Sequence, residues 1–185
     1  LHLCHHNLES IDTTSMTHKL LLEVCMAAKY EGNSINTPYP KHENTNPDTK
    51  SQLCTVLARS FADIGDIVRG RDLFLGNTYE SAQRDQLDKK LKTIFGNIYK
   101  DVTSGNSREL KTRYEGDDKK NFYRLREDWW NANRATIWEA LTCDARDNAE
   151  YFRKTACGGG KGTQGRCRCV TDVPTYFDYV PQYLR

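Results

Sequence analysis

The histidines and cysteines are the first residues that could do chemistry. His2, Cys4, His5 and His6 crowd together in the manner of metal ligands. A structural zinc needs a second ligand pair at a defined spacing, and the next thiol, Cys25, stands alone, so no metal is expected. Cys157, Cys167 and Cys169 could supply three thiolates, but no histidine or fourth cysteine lies beside them, and disulfides are the better reading. The glycine run around Lys161 resembles a phosphate loop, yet Gly-x-x-x-x-Gly-Lys-Ser/Thr is not matched and no apolar strand precedes it. Asp63 and Asp66 stand three apart on a helical pattern, where capping or pairing with Arg59 or Arg69 is the ordinary role. No Ser/His/Asp or Cys/His signature appears. The expectation is a protein without catalytic residues or cofactor.

Trp129 and Trp130 are adjacent, so on a helix they point about 100° apart and cannot share one narrow core stripe. One of them is expected to pack against a second helix layer, which leaves the other as a candidate contact residue.

Helices must position these residues. A helix is predicted over 18–31, with Leu21, Val24, Cys25 and Ala28 on one face and Gly32 as its stop. Residues 33–47 carry three prolines and read as an exposed loop. Leu53, Leu57, Phe61, Ile64 and Val68 recur at helical spacing in a segment that starts near Asp48 and ends at Gly70. Residues 80–100 repeat that period through Leu87, Leu91, Ile94, Phe95 and Ile98, weakened by Gly96. Asp117 and Asp118 can cap a long helix carrying Phe122, Leu125, Trp129, Ile137 and Leu141. Residues 147–154 are also helix-like, and the tail from Val173 alternates proline with aromatics. The fold class is all-α, a disulfide-stabilised helical bundle with long loops.

The chain has 185 residues, 37% hydrophobic and 28% charged, and a mean hydropathy of −0.78, which predicts a narrow core and much solvated face. No apolar run approaches the roughly 20 residues that span a bilayer, so no direct membrane insertion is expected. The 27 basic and 25 acidic residues give a net charge of +2, too balanced for a dedicated nucleic-acid binder. Charge is local instead. Residues 108–126 hold seven basic and four acidic side chains, and residues 150–170 hold five and one. Seven scattered cysteines point to an oxidising, extracellular setting, with Cys4 the expected odd thiol. The chain begins without a methionine and reads as part of a longer one.

Three stretches carry a resemblance. They are residues 58–70, Ala-Arg-Ser-Phe-Ala-Asp-Ile-Gly-Asp-Ile-Val-Arg-Gly; residues 126–134, Arg-Glu-Asp-Trp-Trp-Asn-Ala-Asn-Arg; and residues 174–185, Pro-Thr-Tyr-Phe-Asp-Tyr-Val-Pro-Gln-Tyr-Leu-Arg. With Leu3-Cys4 and Thr142-Cys143-Asp144-Ala145, the chain resembles a Duffy-binding-like domain of the alpha class, from the variant erythrocyte membrane protein family of Plasmodium falciparum. The resemblance implies a non-enzymatic adhesion domain on the outer face of the infected red cell, with its membrane anchor downstream. Residues 1–14 would end a first subdomain and 15–185 form the helical second one. Implied partners are a red-cell surface receptor, as sulfated glycosaminoglycan or as blood-group or sialylated glycan, and host antibodies.

The family pattern further implies that Cys54 pairs toward Cys157 and that Cys25 joins Cys143, with Cys167 or Cys169 able to take one of these partners. By charge density alone, Lys119, Lys120, Arg124, Arg153, Lys154, Lys161, Arg166 and Arg168 are the candidate receptor contacts, meeting sulfates or carboxylates. The alternative is a scaffold subdomain with antigenically variable loops and no receptor site of its own.

Overall fold

In the computed structural model, residues 16–37, 52–72, 78–147, 149–153, 156–157, 162–163, 165–169 and 173–185 are described. They form five helices: α1 (Met16–Asn36), α2 (Leu53–Arg69), α3 (Thr78–Ser104), α4 (Arg108–Arg113) and α5 (Tyr123–Leu141). Short 3-10 turns at Asp118–Lys120, Phe177–Tyr179 and Gln182–Leu184 complete the order, and no strand occurs among the described residues. The all-α expectation holds.

The core is built around α5, on which α1, α2 and α3 all pack. Phe61 of α2 lies 5.1 Å from the Trp130 ring and 5.2 Å, edge on, from Trp138. Leu53, Leu57 and Ala58 of α2 and Ile137 and Leu141 of α5 fill the same interior. On the other side of α5, Phe95 of α3 meets Trp129 edge on at 6.0 Å. The adjacent tryptophans therefore serve two layers, as their 100° offset requires. Both are buried, so neither is the surface contact that the sequence left open.

Helix ends explain where the sequence reading misplaced boundaries. Helix α1 does not stop at Gly32 but runs on to Asn36. That glycine answers to packing: a Cβ there would sit 2.0 Å from the Leu141 carbonyl oxygen of α5. Asn36 Nδ2 donates to the Asp144 carbonyl at 2.7 Å, so α1 ends beside the end of α5. Gly32→Ala sets helix propensity, which favours alanine by about 1 kcal/mol, against a clash with backbone that cannot rotate away. Forcing extra volume into a packed contact costs about 1–3 kcal/mol, so a net loss of stability is expected. A higher urea midpoint for the variant would contradict this reading of the α1–α5 contact.

Residues 147–154 are not a helix where they are described, and the reason lies in α2. The first N–H groups of a helix have no partner within it, and Gln52 provides no side-chain cap. The backbone after α5 supplies one: Cys54 N–H donates to the Glu150 carbonyl at 3.2 Å, while Phe152 N–H reaches Thr55 Oγ1. At the far end, Gly70 closes α2 with φ 71°. Asp117 does cap the Trp-Trp helix, although α5 begins only at Tyr123: its carboxylate accepts the N–H groups of Arg124 at 3.0 Å and Leu125 at 2.9 Å.

Candidate functional site

The three stretches that carry the resemblance converge in the interior. Asp178 of the tail is 1% exposed. Its Oδ2 accepts from Trp130 Nε1 at 2.9 Å and Arg134 Nε at 2.8 Å, and its Oδ1 accepts from Arg134 Nη2 at 2.7 Å. Arg134 Nη2 also donates to the Thr175 carbonyl. From α2, Arg69 Nη2 donates to Asp66 and to the Asp178 carbonyl, and Tyr179 lies over the Arg69 guanidinium at 4.9 Å. Arg185 completes the clamp, with Nη2 on Asp66 at 2.7 Å and Nη1 on Asp63 at 3.1 Å. The paired aspartates of α2 therefore hold arginines, which is the structural role expected of them. Arg126 ties α2 to α5 and α3: Nε donates to the Val68 carbonyl at 2.6 Å, and Nη1 pairs with Asp88 at 3.3 Å.

These groups fix the frame, and the charge available to a ligand lies outside it. Lys119, Lys120 and Arg124 are exposed together, on the 3-10 turn and the first turn of α5. Arg124 is braced by a hydrogen bond to the Arg113 carbonyl. Arg113 itself forms a fork on Asp128, both oxygens at 2.6 Å. That hydrogen bond holds the Asp128 carboxyl below its usual range against the opposing effect of burial, and it engages the Arg113 charge. Helix α4, capped by Ser107, brings exposed Arg108 and Lys111 to the same region. Arg108, Glu109, Thr112, Arg113 and Arg124 line a shallow open concavity there. Arg108 and Lys111 were missing from the candidate list, although the basic count over 108–126 already included them.

Arg166 and Arg168 belong to the other end of α5. Arg166 pairs with Asp147 at 3.1 Å. Arg168 turns inward, Nε to Thr142 Oγ1 at 3.2 Å and Nη2 to the Glu139 carbonyl at 2.8 Å, and burial pulls its pKa down. Arg153 is exposed, while Lys154 and Lys161 lie outside the described residues. Arg124 and Glu139 are fifteen residues apart, about 22 Å along the helix axis at about 1.5 Å per residue. Among the described candidates, Lys119, Lys120 and Arg124 lie apart from Arg166 and Arg168.

The cysteines pair differently from the implied pattern. Cys54 bonds Cys167, not Cys157, with Cα atoms 5.3 Å apart, which is the exchange the pattern left open. Cys157 bonds Cys169. The backbone turns through left-handed Gly165, Arg166 and Cys167, and Trp138 Nε1 holds the Cys167 carbonyl at 3.0 Å, so Cys167 is the residue delivered to α2. Cys143 is disulfide-bonded, but Cys25 is a free thiol. The register of α1 explains this: Gly32 is the residue that meets Leu141, and Cys25 stands seven residues back. That is about 10 Å along the helix, beyond the roughly 7 Å a disulfide can bridge. At 6% exposure Cys25 is pushed up to about 12 by burial, with Glu139 adding to it, so it stays protonated and inert. The histidines and cysteine of residues 2–6 lie outside the described residues. Among the described ones, no group of three His, Cys, Asp or Glu side chains could hold a metal. No described helix is long and apolar enough to cross a membrane.

The described residues thus form a helical frame braced by cystines and by buried Arg–Asp pairs, with Lys119, Lys120 and Arg124 on its surface. All of residues 1–185 match the family described as Duffy binding domain. The chain is 45% identical to the NTS-DBL1-alpha and CIDR-gamma double domain of PfEMP1 from the Plasmodium falciparum varO strain, with TM-score 0.71, covering 98% of this chain and 25% of that one. It is 44% identical, with TM-score 0.71, to the NTS-DBL1(alpha-1) domain of the same strain, covering 99% of this chain and 40% of that one. Against the PfEMP1 IT4var13 DBLbeta domain bound to ICAM-1, identity is 32% and TM-score 0.64, with coverage of 96% and 39%. The chain thus spans a quarter to two fifths of the length of these solved chains. No curated protein is significantly similar to it. The chain belongs to the Duffy binding domain family, in the alpha class of the Plasmodium falciparum variant surface antigens.

Proposed function

We propose that this chain is part of an adhesion domain that meets a host receptor from the outer face of the infected red cell. It works by binding and not by catalysis, and its anchor lies elsewhere in a longer protein. In this reading residues 15–185 form the helical subdomain and 1–14 the end of the one before it. Support comes from the family and from a relative whose structure was solved with ICAM-1 bound. The observation that carries the site is the grouping of exposed Lys119, Lys120 and Arg124 on a rigid corner, where Asp117 fixes the backbone. Preformed cations lose little entropy on meeting sulfate or carboxylate groups, so a sulfated or sialylated glycan is the receptor chemistry this corner fits.

Scaffolding is the second reading, favoured by the inward turn of the family stretches and by the engagement of Arg166 and Arg168. The two part on one experiment: elution of the oxidised chain from immobilised heparin across a salt gradient. Exposed charge contacts are worth about 0.2–1 kcal/mol each. Removing three with Lys119→Gln, Lys120→Gln and Arg124→Gln should then weaken binding by roughly 3- to 150-fold. Elution of that triple variant at the parent's salt concentration would leave the corner without a receptor role.

A further inference from the structure

We propose that the Cys157–Cys169 bridge is a thiol-sensitive clasp that keeps the Arg168 guanidinium folded onto α5, and that its reduction turns this cation outward. Two bridges end in one short segment, on Cys167 and on Cys169, with Arg168 between them. Their accessibility differs. Cys54 and Cys167 are both 0% exposed, whereas Cys157 is 8% exposed and Cys169 is half-buried. Thiol–disulfide exchange needs a thiolate to reach a sulfur atom, so the outer bridge is the one a reductant meets first.

Arg168 is held where its charge is disfavoured. Its guanidinium lies against the last turn of α5, on the Glu139 carbonyl and Thr142 Oγ1, where desolvation and then the like charge of Arg166 outweigh the favourable charge of Glu139. Just before it, Arg166 and Cys167 occupy left-handed backbone with φ 44° and 60°, a region unfavourable for residues with a side chain. The two bridges fix the residues on either side of Arg168. With the outer one cut, Cys167 stays anchored to Cys54 and to the Trp138 indole, but Cys169, next to Arg168, loses its covalent tie to Cys157. Hydration then draws the guanidinium out.

The step balances with an external dithiol as the reductant. Its thiolate attacks Cys169 Sγ, giving a mixed disulfide and a Cys157 thiolate that takes up a proton. The second thiol of the reductant displaces Cys169 as a thiol and closes a cyclic disulfide. Two electrons pass from dithiol to cystine.

Dithiothreitol titration of the folded chain, with alkylation and mass mapping, reads the order of opening. Labelling by an arginine-selective dicarbonyl reads the exposure of Arg168. Cys157 and Cys169 should be alkylated while Cys54 and Cys167 remain paired, and Arg168 should be labelled several-fold faster, both then and in a Cys157→Ser, Cys169→Ser variant. Simultaneous opening of both bridges, unchanged labelling, or loss of helix in the serine variant would each overturn the clasp. Any effect on adhesion rests on the electrostatic reading above. Heparin elution tests that link separately: faster Arg168 labelling with unchanged elution removes the link and leaves the clasp standing.

Discussion

Asp178→Ala is expected to destabilise the domain more than any surface substitution, by about 3–5 kcal/mol, the range for removing one partner of a buried ion pair. The carboxylate satisfies three donor contacts with two oxygens, from Trp130 Nε1, Arg134 Nε and Arg134 Nη2. Removing it leaves a buried guanidinium without its counter-charge and an indole N–H without its acceptor, in a region that water does not reach. At roughly 2–4 °C per kcal/mol for a chain of this size, the midpoint of thermal unfolding should fall by about 6–20 °C. A second variant separates the charge from the packing. Replacing a buried pair by apolar residues of similar size is often neutral or stabilising, so Asp178→Leu with Arg134→Met should recover much of the loss. A shift below about 1 kcal/mol for Asp178→Ala would place the exposed range of ion pairs in the interior, and would mean that the tail is not held by this network.

That network shows what a sequence can and cannot declare. The period of Leu53, Leu57, Phe61 and Val68, or of Leu91, Phe95 and Ile98, is a local property, and these residues are buried in helices as their spacing requires. The division of Trp129 and Trp130 between two layers follows from helix geometry alone. Asp117 could be named as a cap because capping is also local. What failed was set between elements. Gly32 resembles a stop signal in sequence, but the Leu141 carbonyl is what makes a side chain there impossible. The segment after α5 has helical composition, but where described it is not a helix, and its Glu150 carbonyl caps α2 instead.

The candidate site was legible only as charge density. Lys119, Lys120 and Arg124 are presented together, but nothing in one dimension distinguishes them from Arg168, whose guanidinium reaches back to the Glu139 carbonyl and Thr142 Oγ1. Helix α4 was hidden for the same kind of reason. It buries no residue, so it leaves no hydrophobic period to find.

The bridges should differ in what their removal costs, and by enough to measure. Cys54 and Cys167 are 113 residues apart, whereas Cys157 and Cys169 are 12 apart. Cross-linking lowers the entropy of the unfolded chain in proportion to the logarithm of the closed loop, which gives about 4.8 kcal/mol for the long loop and about 2.8 for the short one. The short loop lies largely inside the long one, so the two values will not add in full. Burial widens the difference. Cys54 and Cys167 sit in the core beside Leu53, Leu57 and the Trp138 indole, and alanine at both positions also leaves a small cavity. Cys54→Ala with Cys167→Ala should therefore lower the urea midpoint markedly further than Cys157→Ala with Cys169→Ala, with helix followed by circular dichroism. The long bridge joins the start of α2 to the segment docked on α5, two helices of the core, while the short bridge joins two residues that both lie outside the helices. Equal losses from the two pairs would mean that the cystines act through local strain, and that the α2–α5 core holds its register without them.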